Sequence, residues 1–156
     1  MLAHCRYKQR ESRGRFEPRP YLPATEVPVD IVGPAVIEYV KRHSTKPDDA
    51  QVYLLDTKYW LCDLETFDQF RREDWTELAP YLAERSDCDD RARQLWAAAS
   101  MRGLTGVGLV IDWSGRHAYN LVLFADGHIR LYEPATDGWV EPDLPAYRLD
   151  HCLVLM

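Results

Sequence analysis

Apolar and polar positions change their period along this chain, and each period predicts an element. From Cys88 the apolar residues Ala92, Leu95, Trp96 and Ala99 fall four, seven, eight and eleven positions on, the stripe of a helix that repeats about every 3.6 residues. Ser86 or Asp87 supplies an N-cap, Asp89 and Asp90 load the first turn, and Gly103 marks the stop. Val36, Ile37 and Val40 predict a shorter helix after Asp30, ending in the basic Lys41, Arg42 and His43 that suit a C-terminus. A further helix starts at Asp63 and runs through Phe67 and Phe70, and 75–81 continues helical to a boundary near Pro80.

Strand patterns occupy most of the remainder. Residues 52–55 and 58–62 read as one strand broken near Asp56 and Thr57, or as two short ones. The apolar run 106–113 holds two glycines that let another backbone come close. Residues 117–125 and 128–134 flank Asp126-Gly127 as a hairpin, and 147–155 closes the chain with one more strand. Helices first and antiparallel strands second is the α+β order. Residues 1–28 hold four prolines, the last at Pro28, and no apolar period, so they are expected to form an extended arm and residues 29–156 a single domain.

The hairpin register decides which side chains share a face. A two-residue turn would put His117 and Glu133 on opposite faces. A three-residue loop with Gly127 in the left-handed position instead pairs Phe124 with His128, Leu123 with Ile129 and Leu121 with Leu131. His117 and Glu133 then become diagonal neighbours at the end of an apolar face, within reach of each other. The second register keeps the apolar residues together and is the one expected. Packing of that apolar face on the 88–101 helix would bring Cys88 to His117, giving a thiol, a base and an orienting acid. Cys88 at a helix start meets unpaired amide hydrogens and the positive dipole end, which favour thiolate, while the neighbouring aspartates oppose it. The plain alternatives are a buried structural cysteine, a strand-edge histidine and a turn glutamate. Gln51 and Tyr59 are the upstream polar candidates for a second oxyanion donor.

Composition narrows the classes. A chain of 156 residues can bury about two thirds of its unfolded surface and needs no staples. The four cysteines, Cys5, Cys62, Cys88 and Cys152, have no zinc spacing and no secretory leader ahead of them, which points to free thiols in a cytoplasmic or virion-associated setting. His4-Cys5 and His151-Cys152 make a poor metal set, because adjacent residues rarely reach one ion. No apolar run is long enough for a bilayer. The net charge is -6, yet residues 6–20 hold six basic residues against two acidic, a local +4 that leaves -10 elsewhere. Such a body repels nucleic acid, whereas the arm could touch an anionic partner.

Three short motifs, Asp87-Cys88-Asp89-Asp90-x-Ala92, Gly115-x-His117-Ala118-x-Asn120 and Tyr132-Glu133-Pro134-x-Thr136, resemble the papain-like domain family of the Marasmius mushroom agglutinin C-terminus and similar small bacterial and bacteriophage domains. The resemblance spans about residues 52–140. It implies a papain-like fold with Cys88 as nucleophile, His117 as base and Glu133 as orienting acid, acting on peptide bonds. It also places Asp89 and Asp90 in the region that calcium-dependent members use; no cofactor is otherwise required. No lectin domain accompanies these motifs. Two functions are compatible: a cysteine peptidase or acyl-transfer enzyme acting on a peptide or protein, and a non-catalytic assembly module, such as a virion subunit docking on neighbouring subunits through residues 1–28.

Overall fold

The computed structural model describes residues 19–80, 82, 83 and 86–156. In chain order its elements are β1 (Thr25–Pro28), α1 (Val29–His43), β2 (Gln51–Tyr53), β3 (Lys58–Leu61), α2 (Leu64–Glu73), α3 (Cys88–Met101), β4 (Val107–Asp112), β5 (His117–Leu123), β6 (Ile129–Glu133), β7 (Gly138–Val140) and β8 (Cys152–Leu155), with single 3-10 turns at Pro47–Asp49 and Thr76–Leu78. The expected α+β class holds. A six-stranded sheet runs β2-β8-β4-β5-β6-β7, and β1 and β3 form a separate ribbon. The sheet is antiparallel except at its edge, where β2 lies parallel to β8.

Alternation along β5 assigns its two faces to different helices. Tyr119, Leu121 and Leu123 join Val110, Leu131 and Val154 against Val32, Val36 and Val40 of α1. Val122 and Phe124 point the other way, with Val107 and Tyr132, onto Phe67 and Phe70 of α2 and Leu95 and Ala99 of α3. Leu109 and Ala118 meet Ala92 on that same side. The sheet is therefore sandwiched between α1 and the pair α2 and α3.

Local signals formed as their chemistry requires. Asp63 caps α2 by accepting the Thr66 N–H at 2.8 Å. Asp87 caps α3 in a reciprocal box with Asp90, and Gly103 follows at φ +75°. Gly106 and Gly108 admit the backbone expected of them: a Cβ on Gly106 would lie 2.6 Å from the Leu123 carbonyl oxygen, and one on Gly108 2.9 Å from that of Leu155.

Two expectations are corrected. The arm of residues 1–28 is body from residue 22 onward: Leu22 is buried, its N–H bonds the Arg102 carbonyl at 2.9 Å, and β1 pairs with β3. Residues 1–18 lie outside the described residues. The helix over 75–81 is one 3-10 turn, because Trp75 and Leu78 are exposed and no buried stripe supports it; Tyr81 lies outside the described residues. Residues 51–53 and 58–61 are two short strands, the second of the two readings, and they enter different sheets. An unanticipated strand, β7, is held by Trp139, which packs edge-on against Tyr132 and tilted against Phe67 beneath the Arg130 guanidinium at 4.2 Å. No helix among the described residues is long and apolar enough to cross a membrane.

Candidate active site

The β5–β6 hairpin takes the register that aligns its apolar residues. Leu123 faces Ile129 and Leu121 faces Leu131, Phe124 N–H bonds the His128 carbonyl at 2.9 Å, and Gly127 sits at φ +86°. His117 and Glu133 consequently share a face, with His117 Nε2 2.5 Å from Glu133 Oε2. Two further donors hold the carboxylate: Ala135 N–H on Oε1 at 2.8 Å and the Tyr147 hydroxyl on Oε2 at 2.9 Å. Burial by itself would raise the Glu133 carboxyl, but the His117, Ala135 and Tyr147 hydrogen bonds outweigh it and hold it below the usual carboxylate range. With Nε2 engaged by an ionised acid, Nδ1 is the imidazole nitrogen left for other chemistry.

Cys88 arrives from the other side. Helix α3 packs on the face of Ala118, Asn120 and Val122, opposite the one that carries His117 and Glu133, and Cys88 packs with Ala92, Leu109 and Ala118. The expected docking of the Leu121 and Leu131 face on α3 therefore does not occur. That face is covered by Val32, Val36 and Val40 of α1, while Ala92 and Ala99 of α3 pack on the opposite one. Asn120 fastens this arrangement, its Nδ2 donating to Ala92 O at 2.9 Å and Gly108 O at 3.0 Å.

Cys88 nonetheless reaches the end of β5 at which His117 stands, through its neighbour Ala118. Continuing the hairpin register would place Pro134 opposite Ala118, but β6 stops at Glu133 and a proline cannot extend the ladder. The Cys88 sulfur takes the Ala118 N–H instead, one residue along from His117. Burial pushes the Cys88 thiol up, the Ala118 amide pulls it part of the way back, and the charges of Asp87 and Asp89 add to the rise. Cys62 and Cys152 are buried, with thiols pushed up to about 11 and about 12, chiefly by desolvation. All three cysteines are free, whereas Cys5 lies outside the described residues.

Other candidates fall away from this point. Gln51 pairs with Leu153 at the sheet edge, and Tyr59 is buried with its hydroxyl on the Met156 carbonyl at 3.1 Å, so neither is assigned as an oxyanion donor. Asp87, Cys88 and Asp89 offer ligand atoms within 4.8 Å of one another. Calcium takes six to eight oxygens, and two carboxylates with a thiol do not fit that demand. Asp89 and Asp90 each bind Arg93, at 2.8 and 2.6 Å. A hydrogen bond with Asp87, then burial, hold Asp89 above the usual carboxylate range. Of the remaining metal set, His4 and Cys5 lie outside the described residues, and the His151 ring lies against Trp113.

Tyr147 had no signal in the linear pattern. It belongs to the connection between β7 and β8, and only the closed fold sets its ring edge-on to His117 at 5.4 Å. The buried Asp112, opposite His117 across β4 and β5, was also invisible; it accepts from Ser114, Gly115 N–H, Tyr119 and Leu149 N–H and so holds the turn that leads into His117.

No family model and no curated protein matches the sequence. Among solved structures, one described as a PSL1a–E64 complex is similar over 84% of this chain and 51% of the other, at 19% identity and a TM-score of 0.66. A Polyporus squamosus lectin bound to a human-type influenza-binding epitope is similar over 82% of this chain and 49% of the other, at 19% identity and a TM-score of 0.63. The chain spans about half the length of these structures, and the likeness is one of fold.

Proposed function

We propose that the protein is a papain-like cysteine hydrolase or acyl-transfer enzyme with Cys88 as nucleophile, His117 as general base and Glu133 as the acid that orients it. The observation that carries this reading is the 2.5 Å His117–Glu133 contact beside the amide that engages the Cys88 sulfur. Glu133 holds Nε2 and leaves Nδ1 to take the thiol proton as sulfur attacks a peptide or isopeptide carbonyl. The proton then passes to the departing amine, and water releases the acyl group from sulfur, regenerating thiol and imidazole. Burial and the neighbouring aspartates hold the Cys88 thiol up, so this reading assigns activation to the moment of attack rather than to a standing thiolate.

A second reading, a non-catalytic assembly module acting on neighbouring subunits, is favoured by the raised Cys88 thiol and by the exposed Trp75 and Leu78. Alkylation separates the two. Iodoacetamide near neutral pH, followed by peptide mapping, is expected to label Cys88 at least 10-fold faster than Cys62 or Cys152, and His117→Ala is expected to remove that advantage. A Cys88 that reacts no faster than the buried pair would leave the module reading.

A further inference from the structure

We infer that Tyr147 is a positioning residue that fixes Glu133, and through it the His117 imidazole, an inference that rests on the reading of Cys88, His117 and Glu133 as one site. Its hydroxyl donates to Oε2 at 2.9 Å, the same oxygen that meets His117 Nε2, while Ala135 N–H ties Oε1. With both oxygens anchored the carboxylate cannot turn, and a single direction remains for the imidazole. The Tyr147 ring also walls the imidazole edge-on and packs on Tyr119 with centroids 4.9 Å apart, so it restricts ring tilt as well.

The chain is shaped to deliver this residue. A Cβ on Gly115, in the turn that leads into His117, would lie 2.3 Å from the Ala146 carbonyl oxygen. Only glycine lets the connection between β7 and β8 press this closely on the turn, and Tyr147 is the next residue along. The shared motif glycine thus serves a residue outside every motif.

The hydroxyl also draws charge from Glu133, which moderates the acid so that it orients the imidazole without taking its proton. The ionisable groups around Glu133 are His117 from β5, Tyr147 from the connection and Arg91 from α3, whose Nη1 lies 3.4 Å from the Ala135 carbonyl oxygen. Tyr119 turns its hydroxyl to Asp112 at 3.0 Å, and Asp87 and Asp89 flank Cys88. Tyr147→Phe removes only its own hydroxyl and leaves the other groups and the aromatic wall in place.

The test is Tyr147→Phe in the full chain, with Glu133 titrated by carboxyl carbon-13 NMR and Cys88 alkylation followed against pH. The Glu133 titration is expected to move upward by roughly half a unit to one unit, and the acid limb of Cys88 alkylation to move upward with it. A ring that served packing alone would move neither. The inference is overturned if the Glu133 titration stays where it was, or if the alkylation limb stays while Glu133→Gln does change alkylation. If Glu133→Gln and His117→Ala both leave Cys88 alkylation unchanged, the three-residue site itself fails, and the role of Tyr147 falls with it.

Discussion

Three donors converge on Glu133, and their balance against burial sets how its charge couples to folding. Because the hydrogen bonds hold the folded carboxyl below its unfolded value, the folded state favours the ionised form. The sign follows directly: the contribution is fully present above the ordinary glutamate pKa of about 4.3 and is lost as pH falls through the lower folded value. Glu133→Gln is expected to cost about 1–3 kcal/mol near neutral pH and to flatten the acid side of the stability profile. Urea titrations between roughly pH 3 and 6 check this, and parallel wild-type and variant profiles would remove Glu133 as a source of acid sensitivity. His117 and Glu133 were legible as a pair because a hairpin with Gly127 has few registers and only one aligns its leucines. Tyr147 was not legible, since its partner lies on an element separated from it by β7.

Among the elements, α3 has the strongest linear signal and the least expected placement. Its cap, first-turn acids and stop glycine were all readable from residues 86–103. Which face of the sheet it covers was not, because Leu121 and Leu131 on one side and Val122 and Phe124 on the other are equally apolar. Asn120 settles the matter at close range, binding a helix carbonyl and a strand carbonyl from a fully buried position. Asn120→Ala leaves the Ala92 and Gly108 carbonyls without this donor and is expected to cost about 2–3 kcal/mol, measured by denaturant unfolding. It should also slow Cys88 alkylation, because the helix start is held against β5 by the same contact. An unchanged alkylation rate in a destabilised variant would show that α3 is positioned by its apolar stripe instead.

Across the whole molecule, the β1–β3 ribbon joins the main sheet where Gly106 lets backbones cross. A methyl there would meet the Leu123 carbonyl oxygen at 2.6 Å and Leu61 Cδ2 at 2.7 Å, so Gly106→Ala is expected to destabilise by about 1–3 kcal/mol through forced backbone displacement. Thermal or urea unfolding checks it, and a neutral substitution would mean that the ribbon moves freely against the sheet. Local order was written into the chain: periodicity, caps and the hairpin turn depend on neighbours within a few residues, and they specified the α+β class, the Cys88 helix and the alignment of His117 with Glu133. The arm that became β1, the parallel edge formed by β2 and β8, and the side on which α3 docks depended on partners as many as a hundred residues away. No local pattern encodes such choices. They follow from which apolar faces cover one another in the folded core, and that competition placed Cys88 at the Ala118 amide and Tyr147 behind Glu133.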